Sequence, residues 1–251
     1  MVWSRIIPVN GSVAPVLPDG CIDLLWSDGR LMIAGPDTQA HTPATEPGAV
    51  FAGVRFAPGT GPSIIGLSGD EIRDQRVPVD AFRSAATVRR ATEIVASAAH
   101  SPLGRPALEA ALEAVATEWF RASPPPDAAV TGIVAGLRAG ASVAATAGAV
   151  GLGVRALHRR CLPAFGYGPK TLAKIFRLNR ALDLARRGVP LAVVAFTAGY
   201  ADQAHLSREV KAMTGASLRR LLGAPAQPPD SLPGSGAKSS TLLPSGSRSV
   251  A

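Results

Sequence analysis

The chain has 251 residues, is 47% hydrophobic and carries a formal net charge of +8. That length and composition support one or two domains with real cores and exclude a disordered or fibrous class. The opening Met1-Val2-Trp3-Ser4-Arg5-Ile6-Ile7-Pro8 lacks a basic region followed by an apolar stretch, and no run of about eighteen uncharged apolar residues occurs, so no membrane association and a cytoplasmic location are expected. The two cysteines, Cys21 and Cys161, have no metal-ligand spacing around them, which points away from a zinc site and a disulfide framework.

The distribution of charge says more than its sum. Residues 1–128 hold 10 Lys/Arg against 14 Asp/Glu, residues 129–222 hold 14 against 3, and residues 223–251 hold 2 against 1. A basic segment behind a mildly acidic one suits binding to phosphates, whereas a merely solvated basic face would carry more compensating anions.

Residues 1–83 read as β structure. Cys21-Ile22-Asp23-Leu24-Leu25-Trp26 and Arg30-Leu31-Met32-Ile33-Ala34 flank Asp28-Gly29, a strong local hairpin signal. Ala49 to Phe56 is a further strand candidate, closed by Pro58-Gly59. Short apolar runs punctuated by Gly and Pro predict a small sandwich or barrel-like domain.

From residue 84 to 122 the period becomes helical. Leu108, Leu112, Val115 and Trp119 share one face of a helix over Pro106 to Phe120; such a stripe serves either a core or a dimer seam, and the sequence leaves both open. Ser123-Pro124-Pro125-Pro126-Asp127 cannot continue a helix, so residues 123–128 are read as a linker. Residues 129–222 are helix-forming, and residues 223–251, rich in Gly, Ser and Pro, are expected to be a disordered tail.

One pattern occurs twice in the basic segment. Ala147-x3-Gly151-x5-Leu157-x-Arg159 is answered by Ala195-x3-Gly199-x6-Leu206-x-Arg208. A small residue where two helices cross, a glycine in the turn, and a following helix with an arginine face make a helix-turn-helix. The first unit runs through a support helix at Val143 to Val150, a turn at Gly151 to Gly153 and a second helix at Val154 to Leu162, which offers Arg155, His158, Arg159 and Arg160. The second unit has its support helix at Leu191 to Ala198, and Asp202 caps a helix that runs to Met213 and offers Gln203, His205, Ser207, Arg208 and Lys211. Gln pairs in bidentate fashion with adenine and Arg with guanine, while Lys211 suits a phosphate. Between the units, Lys170 to Arg187 keeps helical period and predicts a connecting rod of about 27 Å at 1.5 Å per residue, with Arg177, Arg180 and Arg186 free for the DNA backbone or for solvent.

Residues 129–222 resemble the DNA-binding domain of AraC/XylS transcription regulators. The likeness rests on Phe165-Gly166-Tyr167-Gly168-Pro169-Lys170, on Arg177-x2-Arg180-Ala181-Leu182, and above all on Ala198-Gly199-Tyr200-Ala201-Asp202-Gln203-Ala204-His205-Leu206-Ser207-Arg208-Glu209. It implies that both second helices enter the major groove on one DNA face, and that Arg155, His158 and Arg159 with Gln203, His205, Ser207 and Arg208 stand at contacting positions. Two positions depart from the pattern: Cys161 stands where an aromatic is usual, and a proline usual after Thr214-Gly215 is replaced near Ser217-Leu218. Leu17 to Trp26 and Ala34 to Thr38 are similar to the sensor-like domains of one uncharacterised branch, which implies effector binding or dimerisation. The implied fold is α+β: a small β-sandwich or barrel-like domain with helices, then an all-α domain of two helix-turn-helix units joined by a long helix. The implied partners are double-stranded DNA and RNA polymerase, with a small effector and a second copy of the chain as further ones; no cofactor is implied.

In the N-terminal half, Asp19 and Asp23 with Arg55 opposite frame a polar ligand pocket, or else the aspartates serve only a turn and a hairpin. Cys21 is either a sensing thiol or a small buried apolar residue. The histidines His41, His100, His158 and His205 are scattered and no phosphate-binding glycine loop is present, so a non-enzymatic protein is expected. Two competing classes remain: a DNA-repair methyl acceptor acting through Cys21, and a structural DNA-binding protein without sequence preference.

Overall fold

The computed structural model describes residues 1–8, 14–43 and 46–223. The expected tail beyond Gly223 lies outside the described residues. The N-terminal part holds five strands, β1 (Val2–Ile6), β2 (Ile22–Ser27), β3 (Arg30–Ala34), β4 (Val50–Phe56) and β5 (Arg76–Pro78), in one antiparallel sheet of order β1-β4-β2-β3-β5. The β2–β3 hairpin closes with Ser27 opposite Arg30, and both turn residues, Asp28 (φ 49°) and Gly29 (φ 76°), have the positive φ of a type I′ turn.

Alternation assigns each strand two jobs. Ile22, Leu24 and Trp26, Leu31 and Ile33, and Ala52, Val54 and Phe56 face one way into a common core. Helices close that core in place of a second sheet: α1 (Gly61–Ile65) gives Ile64 and Ile65, α2 (Ala85–Ala99) gives Ala91 and Val95, and α3 (Arg105–Arg121) gives Leu108, Leu112, Val115 and Trp119. The stripe on α3 is thus core packing. The opposite sheet face carries Trp3, Arg5, Asp23, Leu25, Ser27, Phe51 and Arg55.

Beyond Ser123 to Pro126 come α4 (Ala128–Arg138), α5 (Val143–Ala149), α6 (Val154–Phe165), α7 (Pro169–Arg186), α8 (Leu191–Ala198), α9 (Gln203–Thr214) and α10 (Leu218–Leu222). The expected end of α6 at Leu162 moves to Phe165: the helix carries Pro163 within it and stops at Gly166, whose left-handed φ of 80° lets its amide bond Leu162 O, while Pro163 O accepts from Gly69 N at 2.7 Å. Gly151 (φ 70°) and Gly199 (φ 85°) make the two turns in the left-handed region.

The helical part has two cores that share one helix. The first half of α7 gives Leu172, Ile175 and Phe176 to a cluster with Ile133, Ala147, Leu157, Cys161 and Phe165. The second half gives Leu178, Leu182 and Ala185 to a cluster with Ala195, Leu206, Val210 and Leu221, and Leu17 from the N-terminal part belongs to that same cluster. Backbone and side-chain bonds tie the halves together elsewhere: Arg73 Nη1 donates to Gly166 O at 3.0 Å, Asn179 Nδ2 to Pro18 O at 2.9 Å, and Ala40 N to Met213 O at 2.9 Å.

Candidate nucleic-acid interface and sheet-face cavity

Leu157 and Cys161 anchor α6 inward, which leaves Arg155, His158 and Arg159 exposed on its outer side. The ring of His158 lies over Gly168, where a Cβ would come within 2.7 Å of its Nε2. Arg160 is turned away: its guanidinium holds Asp127, the residue whose carboxylate caps α4 at Ala129 N, 2.9 Å away. Burial alone would push the Asp127 carboxyl up, but Arg160 and the capped amides outweigh it and hold it below the ordinary carboxylate value.

On α9 the inward residues Leu206, Val210 and Thr214 leave Gln203, Ser207, Arg208 and Lys211 on one exposed stripe. The Asp202 cap forms as the sequence predicts, its Oδ1 accepting from His205 N at 2.6 Å. His205 is held by more neighbours than the rest of the stripe. It is half-buried, its Nδ1 accepts from Ala201 N at 3.3 Å, its ring meets that of Tyr200 edge-on at 5.3 Å, and its Nε2 stands 3.7 Å from Glu209. Glu209 in turn receives Arg177 through bonds of 2.6, 2.7 and 3.2 Å, while Arg177 stacks 4.6 Å over Tyr200. Burial works against the charge of Arg177, but Glu209 outweighs it and raises the guanidinium pKa. Arg177 therefore locks α7 to α9, with Nε and Nη2 both on Glu209; of its two expected companions, Arg186 lies 3.8 Å from Asp183 and Arg180 is exposed. The sequence reading did not single out Arg219 and Arg220, exposed on α10 behind the Ser217 cap; that cap was the available signal.

Asp19, Cys21, Asp23 and Arg55 come together at the wall of a cavity of about 1080 Å³ on the outer sheet face. Arg55, 7% exposed, places Nη1 2.9 Å from Asp19 Oδ2 and donates Nε and Nη2 to the two oxygens of Asp23 at 3.1 Å each. Burial opposes its charge, the two carboxylates more than restore it, and its pKa rises. Trp3 Nε1 donates to Asp23 Oδ1 at 3.0 Å, and Cys21 N to Asp19 Oδ1 at 2.8 Å. Cys21 itself is buried, at 5% exposure. In the middle of this face Gly53 leaves room for its neighbours, since a Cβ there would stand 3.0 Å from both the Trp3 ring and Leu25 Cδ2. The sequence named the charged group but missed Ser27 and Met32, on the hairpin, and Trp3 and Phe51, which line the same cavity from β1 and β4, strands paired across about fifty residues.

The other thiol, Cys161, is fully buried in the α6 core and burial pushes it up to about 12. Among the described residues no group of three or more His, Cys, Asp or Glu side chains is arranged to hold a metal ion, and no helix is long and apolar enough to cross a membrane.

Two domain families match the chain. Residues 146–223 match a helix-turn-helix domain family, and residues 2–78 match a domain of unknown function, DUF6597. No curated protein matches. Solved structures similar to the chain include ToxT from Vibrio cholerae at 10% identity and TM-score 0.49, covering 88% of this chain and 97% of that one. ToxT from Vibrio cholerae O395 gives 10% identity and TM-score 0.48 over 89% and 99%, and an apo single-residue variant of ToxT from strain SCE256 gives 11% and 0.48 over 88% and 96%. Residues 146–223 are therefore a helix-turn-helix domain of the AraC type, its two units joined through α7, behind a domain of unknown function over residues 2–78.

Proposed function

We propose that the protein is a sequence-specific DNA-binding regulator that sets α6 and α9 into successive major-groove segments and takes a small effector in its N-terminal cavity. The observation that carries the DNA reading is the pair of exposed stripes. Arg155 and Arg159 on α6, and Gln203, Ser207, Arg208 and Lys211 on α9, make no hydrogen bond or ion pair with the described residues, so their donors are available. The rod between them spans about 27 Å over the 18 residues of α7, close to the roughly 34 Å of one DNA turn. His158 remains a contact in this reading; His205 and Arg177 instead support the shape of α9. The working units are 1–83 and 84–122 as the effector domain, 123–128 as linker and 129–222 as the DNA-binding domain, with RNA polymerase and a second copy of the chain as the proteins it meets.

Gel-shift titration on a selected site at several salt concentrations tests the reading. Arg159→Ala and Arg208→Ala should each weaken specific binding by about 1–3 kcal/mol, and Lys211→Ala should weaken all sequences and flatten the salt slope. An unchanged ratio of specific to nonspecific affinity in both arginine variants would refute the groove assignment.

A further inference from the structure

We infer that the sheet-face cavity accepts a small organic cation, a protonated amine on an apolar body, with its ammonium at the Asp19–Asp23 end. This deepens the effector reading and rests on it. Two carboxylates share one guanidinium here, with side-chain exposures of 12% for Asp19, 11% for Asp23 and 7% for Arg55. The cluster holds one more anionic than cationic group, in a place where charge is poorly screened by water.

An anionic ligand would find little to bind. Nε, Nη1 and Nη2 of Arg55 are already directed at carboxylates, and Arg76 is held by Asp37 through bonds of 2.9 and 2.7 Å. Arg5 turns its Nη1 to Ala14 O at 3.4 Å. Arg105, the lining arginine on a helix, stands exposed, where water and salt screen it.

A second observation points to a ligand independently of the acids. Ser27, 3% exposed and two residues along the same strand face from Leu25, has its hydroxyl oxygen buried with no hydrogen-bond partner, although it lines the cavity. A buried hydroxyl without a partner is costly, and a donor at the far end of a ligand, about 13 Å along β2 from Asp23, would satisfy it. Trp3 offers a ring beside the carboxylates, which favours a cation, and Leu25, Met32 and Phe51 offer apolar surface to the body of the ligand.

The test uses the purified full chain and three probes that share a phenyl body: 2-phenylethylammonium, 3-phenylpropionate and 2-phenylethanol. Binding is read by calorimetry and by tryptophan fluorescence. Phenylethylammonium is expected to bind at least about tenfold more tightly than the alcohol and the carboxylate to bind least, consistent with a charge-assisted hydrogen bond. Asp19→Asn, which leaves a neutral Asp23–Arg55 pair, should weaken the amine about tenfold without lowering the thermal midpoint. Tightest binding by the carboxylate, equal binding of amine and alcohol, or no binding by any probe overturns the cation assignment. The effector reading is judged by a separate arm, in which a small-molecule extract is added to the protein on its DNA site. A response of the wild type that Met32→Trp abolishes keeps the effector reading even when the cation assignment has failed, and no response in the wild type overturns both.

Discussion

Arg55 illustrates what one residue can be asked to hold. It joins β4 to β2 and to the Asp19 turn, and it neutralises carboxylates that have little water around them. Removing it leaves two buried acids facing each other, so Arg55→Met should destabilise the protein by about 3–5 kcal/mol in urea unfolding, the usual cost of breaking a buried pair from one side. Asp23→Asn should cost less, because the amide still accepts from Arg55 and Trp3. At the same scale His205 marks the limit of reading a helix face from spacing. Gln203, Ser207, Arg208 and Lys211 were legible as a stripe, whereas the position of His205 depends on Tyr200 and Glu209, and Glu209 is held from 32 residues away by Arg177.

The elements of the helical part are governed by caps and punctuation that lie within a few residues of one another, which is why α8 over Leu191–Ala198 and the Asp202 cap could be read directly. Asp202→Ala should lower stability by about 1 kcal/mol in thermal unfolding, within the usual range for a lost N-cap. The cap of α4 should respond to acid. Because the Asp127 carboxyl titrates below its ordinary value of 3.8, its contribution is present above that value and disappears as the pH falls through the lower folded value. Asp127→Asn should flatten the stability profile below the ordinary carboxylate value of 3.8 and leave its shape unchanged well above it. The sheet was legible only in its hairpin. Asp28-Gly29 announces β2 and β3, but β1 is a five-residue edge strand whose partner, β4, lies far along the chain, and β5 has three residues. Neither carries a local signal, and the floor of the cavity was hidden with them.

At the level of the whole molecule, the segment from Leu17 to Cys21 belongs to both halves. Leu17 is 4% exposed inside the second helical core, Pro18 O is held by Asn179, a Cβ on Gly20 would stand 3.4 Å from both Leu172 and Phe176, and Asp19 and Cys21 line the cavity. A ligand that moves this segment therefore acts directly on α7, the helix both helix-turn-helix units share. Leu17→Ala should cost about 2–5 kcal/mol, as for a leucine lost from a core, and should lower the stability of the second unit although the substitution lies in the N-terminal part; hydrogen exchange resolved along the chain would locate the loss in α7 to α10.

The same leucine bears on how freely the DNA-binding half can be borrowed. A fragment cut at the proline-rich connection would lack the leucine that completes the core shared by the second half of α7 with α8, α9 and α10. In transplants to other sensor domains the helices would not travel as a finished module. A short apolar peptide from the new host would have to take the leucine's place, and that choice would decide whether the grafted regulator starts rigid or loose.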